Sequence, residues 1–535
     1  MSSGEIWRSF AVQERTDIGW YICGIMFYKL GWEFFNGSIT ALATDRFNAA
    51  STFTKLGAAQ GLNQAAQVFG SIAASPLIHA FTTRSVLSVT VVFLAFMTTI
   101  LLIVDAATGG RIKSVDSDQP SYGTWNPNLI FFVWTVAGVA FGSIELVRRV
   151  IPADIVGGNV AKLRRMDAAV YVWYQVAGTA GAFASSAAIS RFGNNYSFIL
   201  SPILFVMAGL IWTRMSATRK APDATDCEKD DSNLGDRPGR VCLLFRPGYL
   251  FLKSVGYGVW VVMSHRRFVW LFPAYSIALY LHRFLESSVA PAFARRVLGQ
   301  SAWSQIIIGG SNFGELLGAA SVFVLNDHIP TPIPWLRFDA LMLNLIWVLP
   351  HFSRVLAPEV SSAWKLAIFF CPLSIGWSSG DCSLTAYIQS SLNDSADFRR
   401  PRDVSALGAT MAFLFSSYII LNAVLSTLLG RVIDRDFESN GNIYAALQQV
   451  GGVQFSVGCA IILMASLVPV GAFAINPQVL NHQLLPGQEY DESAVGLERG
   501  SMSAGLDQGS GRREASCVKS QPPTFGDGQL FRNTS

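Results

Sequence analysis

Lys29 and Glu33 stand four residues apart in an otherwise apolar stretch, MFYKLGWEFFNGSI (26–39), and Asn36 extends their stripe. Spacing of i, i+4 and i+7 sets all three side chains on one face of a helix. An ionised side chain at mid-membrane costs about 3 kcal/mol on insertion scales, so such groups meet a partner or a wet cavity rather than lipid. Two roles are open to the pair: a neutralised strut between helices, or the polar lining of a central cavity. His282, Arg283 and Glu286 repeat the pattern in another apolar run, with Glu286 one turn from both bases. Near mid-membrane, such a group can bind a carboxylate or relay a proton, because His titrates near neutrality. At the membrane edge, the same bases would reach for headgroups.

Further polar groups recur at helical spacing. Gln60, Asn63, Gln64 and Gln67 form a stripe at i, i+3, i+4 and i+7; amides there either bridge helices by hydrogen bonds or contact a solute. Asn312 and Glu315 lie in GGSNFGE (309–315), where glycines permit close helix approach. Glu145 and Asp381 each follow a Gly-Ser or Ser-Gly pair. Glu145 borders Arg148 and Arg149, which suits a cytosolic latch, whereas Asp381 has no adjacent base and suits proton binding. Trp20, Tyr171, Trp173 and Tyr174 are candidates for cavity walls, for packing or for an interfacial belt.

The elements that carry these groups are set by composition. The chain has 535 residues, of which 51% are hydrophobic and 14% charged, with a mean hydropathy of +0.36; ordinary soluble domains carry nearer a quarter charged residues. Apolar runs of about 20 residues, each enough to cross a bilayer as a helix, recur near 19–43, 57–80, 85–104, 128–147, 167–190 and 197–213. Six more follow near 268–292, 305–325, 336–352, 365–390, 404–429 and 454–475. The expected fold is an all-α polytopic membrane protein with 12 transmembrane helices in two pseudo-symmetric six-helix bundles. The organisation is a cytosolic N-terminus (1–18), a first bundle (19–213), a cytosolic linker (214–267), a second bundle (268–475) and a disordered cytosolic tail (476–535). Within the linker, 243–268 is apolar but carries Arg246, Lys253 and three glycines, and reads as an amphipathic helix on the membrane surface. The halves echo one another: ALATDRF (41–47) and PAFARRV (291–297) close the first and seventh spans.

Lys and Arg concentrate in alternate loops, with Arg148, Arg149, Lys162, Arg164 and Arg165 after span four and Arg399, Arg400 and Arg402 after span ten. The positive-inside rule then places both termini in the cytosol. Asn195 heads a sequon in an outer loop, a possible glycosylation site. Cys23, Cys371, Cys382 and Cys459 fall in apolar segments and Cys227, Cys242 and Cys517 in cytosolic ones, leaving no spaced pair outside for a disulfide and no metal cluster. The net charge of +4 is small for this length and spread over loops, so nucleic acid is not an expected partner. No phosphate-cradling Gly-x-x-x-x-Gly-Lys-Ser/Thr loop and no His-Glu-x-x-His occur, so no enzyme activity and no cofactor are expected.

The six-plus-six layout with a charged central loop resembles the major facilitator superfamily (MFS) of secondary transporters over nearly all of 19–475. In the 2–3 loop, SPLIHAFTTR (75–84) stands where that family has Gly-x-Leu-x-Asp-Arg-x-Gly-Arg-Arg. Leu77 and Arg84 fit; Ser75 replaces the glycine and His79 the acid, which weakens the family's latch. Residues 289–303 are similar to the outer end of span seven in macrolide-efflux-like members, and short stretches at 31–34 and 162–167 resemble ferroportin-like exporters. Gly178 and Gly181 give a glycine-rich fifth span, as in exporters, without the usual Gly-Pro pair. The resemblance implies a monomeric, proton-coupled exporter of a small organic compound, in the plasma membrane or an internal membrane such as the vacuole's. Uptake of an organic anion, a nutrient or a metal ion, and a transporter-like receptor or scaffold, are the alternatives.

Overall fold

Each apolar run becomes a helix, because inside a bilayer only hydrogen bonding within the segment satisfies the backbone. The computed structural model describes residues 10–113, 121–156, 160–216, 240–325, 328–329, 331–393, 406–469 and 471–473. Residues 217–239 of the expected linker, the tail, and Arg399, Arg400 and Arg402 lie outside these residues, as do the side chains of His79 and Arg149.

The first half comprises α1 (Val12–Arg46), α2 (Thr52–Ala80), α3 (Thr83–Ala107), α4 (Leu129–Val156), α5 (Val160–Phe192) and α6 (Leu200–Trp212). Helix α7 (Arg240–Ser264) follows, burying Val261 and Val262 and packing on α12. The second half comprises α8 (Arg266–Arg296), α9 (Ser304–Leu325), α10 (Pro332–Val355), α11 (Val360–Asn393), α12 (Ala406–Asn440) and α13 (Tyr444–Ala465). Eight helices among the described residues are both long and apolar enough to cross a membrane. Helices α1, α2 and α5 are as long but more polar, since they carry the embedded charges and amides; α6 is shorter.

The pairing of helices repeats between halves. In the first, α1 packs on α5 and α6, α2 on α4, and α3 on α4 and α6. In the second, α8 packs on α12 and α13, α9 on α11, and α10 on α11 and α13, the same five pairings six spans later. The halves join chiefly along two symmetry-related seams, α2 on α12 and α5 on α9. The glycines of GGSNFGE and beyond explain the tight α9–α11 crossing: a Cβ at Gly310 would lie 2.0 Å from the Ala367 carbonyl oxygen, and one at Gly314 2.1 Å from that of Cys371.

Helix α8 is irregular where its chemistry lies. A π-helical turn at Leu285–Val289 contains Glu286, a distortion often found at functional sites. Pro291 lacks an N–H, so the Ser287 carbonyl is left without its α-helical donor. Gln60 of α2 supplies one, its Nε2 donating to Ser287 O at 2.8 Å across the seam between halves.

Candidate functional site

Lys29 and Glu33 form a buried pair at 2.5 Å, as their spacing on α1 implies. Two glycines of α5 make room for it. A Cβ on Gly178 would lie 2.7 Å from Lys29 Cε, and one on Gly181 2.9 Å from Glu33 Cβ. The small residues of the fifth span thus seat the charged pair. One turn away on α5, the Tyr174 ring lies 4.8 Å from Lys29 Nζ and 4.6 Å from Arg148 Cζ, bridging two cations by its π face.

Across the seam, Arg283 Nη1 lies 3.1 Å from Glu286 Oε2. Ser311 of α9 donates to the other Glu286 oxygen at 2.8 Å and shares a 2.7 Å bond with Ser374. Both carboxylate oxygens of Glu286 are therefore engaged. Glu315, one turn along α9, is held instead by Gln175 of α5, whose Nε2 donates to Glu315 Oε2 at 2.8 Å. That bond joins the two halves inside the protein. Glu315 is within electrostatic reach of Glu286, Arg283, Lys29 and His282, and Arg283 of Tyr174, Glu315 and Tyr418. The Arg283 side chain is nevertheless 49% exposed, although Leu281, His282, Phe284 and Leu285 around it are buried. It therefore borders an open space between helices of both halves.

Other expected site residues are used elsewhere. His282 does not join Arg283 and Glu286: its Nε2 lies 2.9 Å from Asp339 Oδ1 of α10 and its ring stacks on Trp377. Consecutive helical residues diverge by about 100°, so Arg283 and His282 cannot share a face. Asp381 accepts from Tyr275 Oη at 2.6 Å within the second half. The amide stripe of α2 divides by face. Asn63 donates to Trp134 O at 2.6 Å and accepts from Gln67 at 2.7 Å, tying α2 to α4, whereas Gln60 and Gln64 cross to the second half, Gln64 accepting from Asn422 at 2.7 Å. Asn36 is half-buried on α1, and Asn312 is buried with its Nδ2 unpartnered.

Of the expected latch residues, Glu145 and Arg148 meet each other, whereas Arg84 is engaged elsewhere. Arg84 donates to the Met215 carbonyl at the end of α6. Glu145 pairs with Arg148 at 2.5 Å, beside Tyr28 and Tyr174, and so extends the Lys29 cluster. Asn195 is 1% exposed, its Nδ2 donating to Asp105 Oδ2 at 2.7 Å. That nitrogen would have to carry a glycan, so the folded chain does not present it, despite the sequon.

Gln175, Asp339, Ser311 and Tyr418 are neighbours of the expected residues that spacing alone did not single out. Gln175 carried a signal, as an amide amid the apolar run of α5. Asp339 sat near the edge of an expected span, where an acid needs no partner.

No protein-family model matches the chain. No curated protein is similar to it in sequence. Solved structures are similar in fold. A variant of the nucleoside transporter NupG superposes with a TM-score of 0.56 at 11% identity, covering 84% of this chain and 99% of that one. A variant of the peptide transporter POT, in complex with alafosfalin, gives 0.54 at 14% identity over 84% and 95%. The xylose transporter XylE from E. coli, in a partially occluded inward open conformation, gives 0.55 at 10% identity over 85% and 97%. With its repeated six-helix pairing and this likeness, the chain has the major facilitator fold and is an integral, multi-pass membrane protein.

Proposed function

We propose that the chain is a proton-coupled secondary transporter that moves a small organic solute by alternating access. The observation that carries this reading is the bond between Gln175 of the first half and Glu315 of the second, set among Lys29, Glu33, Arg283 and Glu286. A solute bound there touches both halves, and any rocking of one against the other must break or remake that bond. Coupling requires only that a proton bind the two facing states with different affinity. Glu315 is suited to this, because no cation contacts it among the described residues and it can take up a proton without dissolving an ion pair. The structurally similar proteins carry nucleosides, peptides and xylose, all small organic solutes. Among the described residues no three His, Cys, Asp or Glu side chains converge, so a metal cargo has no ligand set to name there.

Export is the direction implied by the resemblance to glycine-rich exporters. The seating of Lys29 and Glu33 against Gly178 and Gly181 gives those glycines a second physical reason, so direction rests on the assay. The purified chain in sealed vesicles, screened with labelled solutes under an imposed pH gradient, tests the whole reading. Solute movement that follows the gradient and collapses with a protonophore is expected. Absence of movement for every solute class would favour a receptor or scaffold instead.

A further inference from the structure

We infer that the solute is a small zwitterion, bearing an anionic group that docks on Arg283 and a cationic amine that docks between Glu315 and Glu33. The inference rests on the transport reading above and adds a substrate class to it.

The first ground is what the charged groups leave unused. Arg283 spends one nitrogen on Glu286. The rest of its five-donor fork has no partner among the described residues and opens onto the space between halves, the geometry that a carboxylate fits in bidentate fashion. Glu315 spends Oε2 on Gln175 and Glu33 spends Oε1 on Lys29; the second oxygen of each has no partner among the described residues. Lys29 is enclosed by Glu33 and the Tyr174 ring, and Glu286 is saturated by Arg283 and Ser311. The cluster thus offers one cationic fork on α8 and two carboxylate oxygens, from α9 and α1.

The second ground is independent of charge. Asn312 Nδ2 and Gln175 Oε1 are buried without a partner, one turn from Glu315 on α9 and on the same side chain that holds Glu315. A buried amide atom without a hydrogen bond is costly, and a solute with both donors and acceptors would satisfy the two together.

Net charge separates a zwitterion from its rivals. Lys29 and Arg283 face three carboxylates, Glu33, Glu286 and Glu315, leaving one negative charge in excess when all are ionised. A solute charged at both ends meets an opposite charge at each, and its amine competes with the proton for Glu315. A lipophilic cation would meet the Arg283 fork, and a simple monoanion would meet Glu315 and Glu33. Either pairing costs more than a zwitterion oriented along the same groups.

The test is equilibrium binding to the purified full-length protein in lipid nanodiscs. The probes are L-alanine and L-alanyl-L-alanine, their N-acetyl and carboxamide derivatives, and uridine, benzoate and tetraphenylphosphonium. At least one free zwitterion is expected to bind, with each blocked derivative weaker by about tenfold or more, the size of a lost charge-assisted contact. Arg283→Gln should erase the preference for the free acid over its amide, and Glu315→Gln the preference for the free amine over its acetyl form. Each variant is first checked for a wild-type melting temperature; Arg283→Lys, which keeps the charge, is the fallback if Arg283→Gln does not fold. Tightest binding by uridine, benzoate or tetraphenylphosphonium would overturn the inference. So would equal binding of blocked and free forms, or no binding by either zwitterion. The transport reading falls separately, only if no probe of any class moves in vesicles.

Discussion

Arg295 on α8 lies 3.1 Å from Asp45 on α1, an ion pair between the two halves at the ends of their first helices. The next residue works beside it. Arg296 donates to Ala49 O at 2.8 Å and lies 4.0 Å from Asp434 of α12. Asp434 in turn accepts from Phe53 N, Thr54 N and Thr54 Oγ1 at 2.8–3.1 Å, capping the start of α2 from the other half. Ser301 adds a 3.3 Å bond to Asp45. If both termini are cytosolic, this tied end is the outer one.

Replacing Arg295 and Asp434 together by alanine should loosen that end. A lost cap costs about 1 kcal/mol and a part-exposed ion pair about 1 kcal/mol or less, enough for roughly a tenfold shift between facing states. Spin labels at Asn48 and Gln300, both exposed and on opposite halves, report it: pulsed dipolar distances should lengthen in the double variant. An unchanged distribution would show that these contacts do not hold the end shut.

His282 and Asp339 are 2% and 0% exposed. Breaking a buried pair by removing one partner costs about 3–5 kcal/mol, so His282→Ala should lower the melting temperature sharply. Because the pair lies away from the open space, the folded fraction should bind solute with unchanged affinity. A changed affinity at unchanged stability would return His282 to the binding site.

Gly181→Ala should impair transport without preventing insertion. Its Cβ would press on Glu33 Cβ at 2.9 Å, displacing the carboxylate that pairs with Lys29. Gly19→Ala is the control, since a Cβ there meets nothing within 4 Å, and surface changes of this kind stay within about 0.5 kcal/mol. Flux by both variants, normalised to protein in the membrane, decides the matter; equal flux would contradict the seating role of Gly181.

Asn195→Gln should leave electrophoretic mobility unchanged, because the folded chain does not offer that nitrogen for glycosylation. It should instead lower thermal stability, since Asp105 would lose a partner that it shares with Gly123 N and Trp125 Nε1. A glycosidase-sensitive band lost in the variant would contradict the folded geometry.

The layout was legible because hydrocarbon thickness dictates helix length: each of the twelve expected segments coincides with a helix, and the charged run after Thr213 separates the halves. The charged members of the site were legible for the same reason, since Lys29, Glu33, Arg283, Glu286 and Glu315 stand out against apolar neighbours. Their partners were not. Helical rotation decides whether Gln60 faces α8 or, like Asn63, faces α4, and a stripe spaced at i+3 and i+4 is compatible with both. His282 and Arg283 were grouped by adjacency, although one residue of helix turns a side chain by about 100°. Asp434 lies beyond the span that hydropathy marks near 404–429, while the helix runs on to Asn440. Long-range pairings such as Gln175 with Glu315 depend on the crossing of α5 and α9, which no local pattern encodes.

Gradient-driven flux compared with solute exchange in vesicles holding either wild type or Glu315→Gln is the most direct measurement. Wild type should accumulate solute under a pH gradient; Glu315→Gln should lose that accumulation while still exchanging labelled for unlabelled solute at equal pH. Accumulation by Glu315→Gln equal to wild type would remove the carboxylate bridged by Gln175 from the coupling step, and with it the site proposed between the two halves.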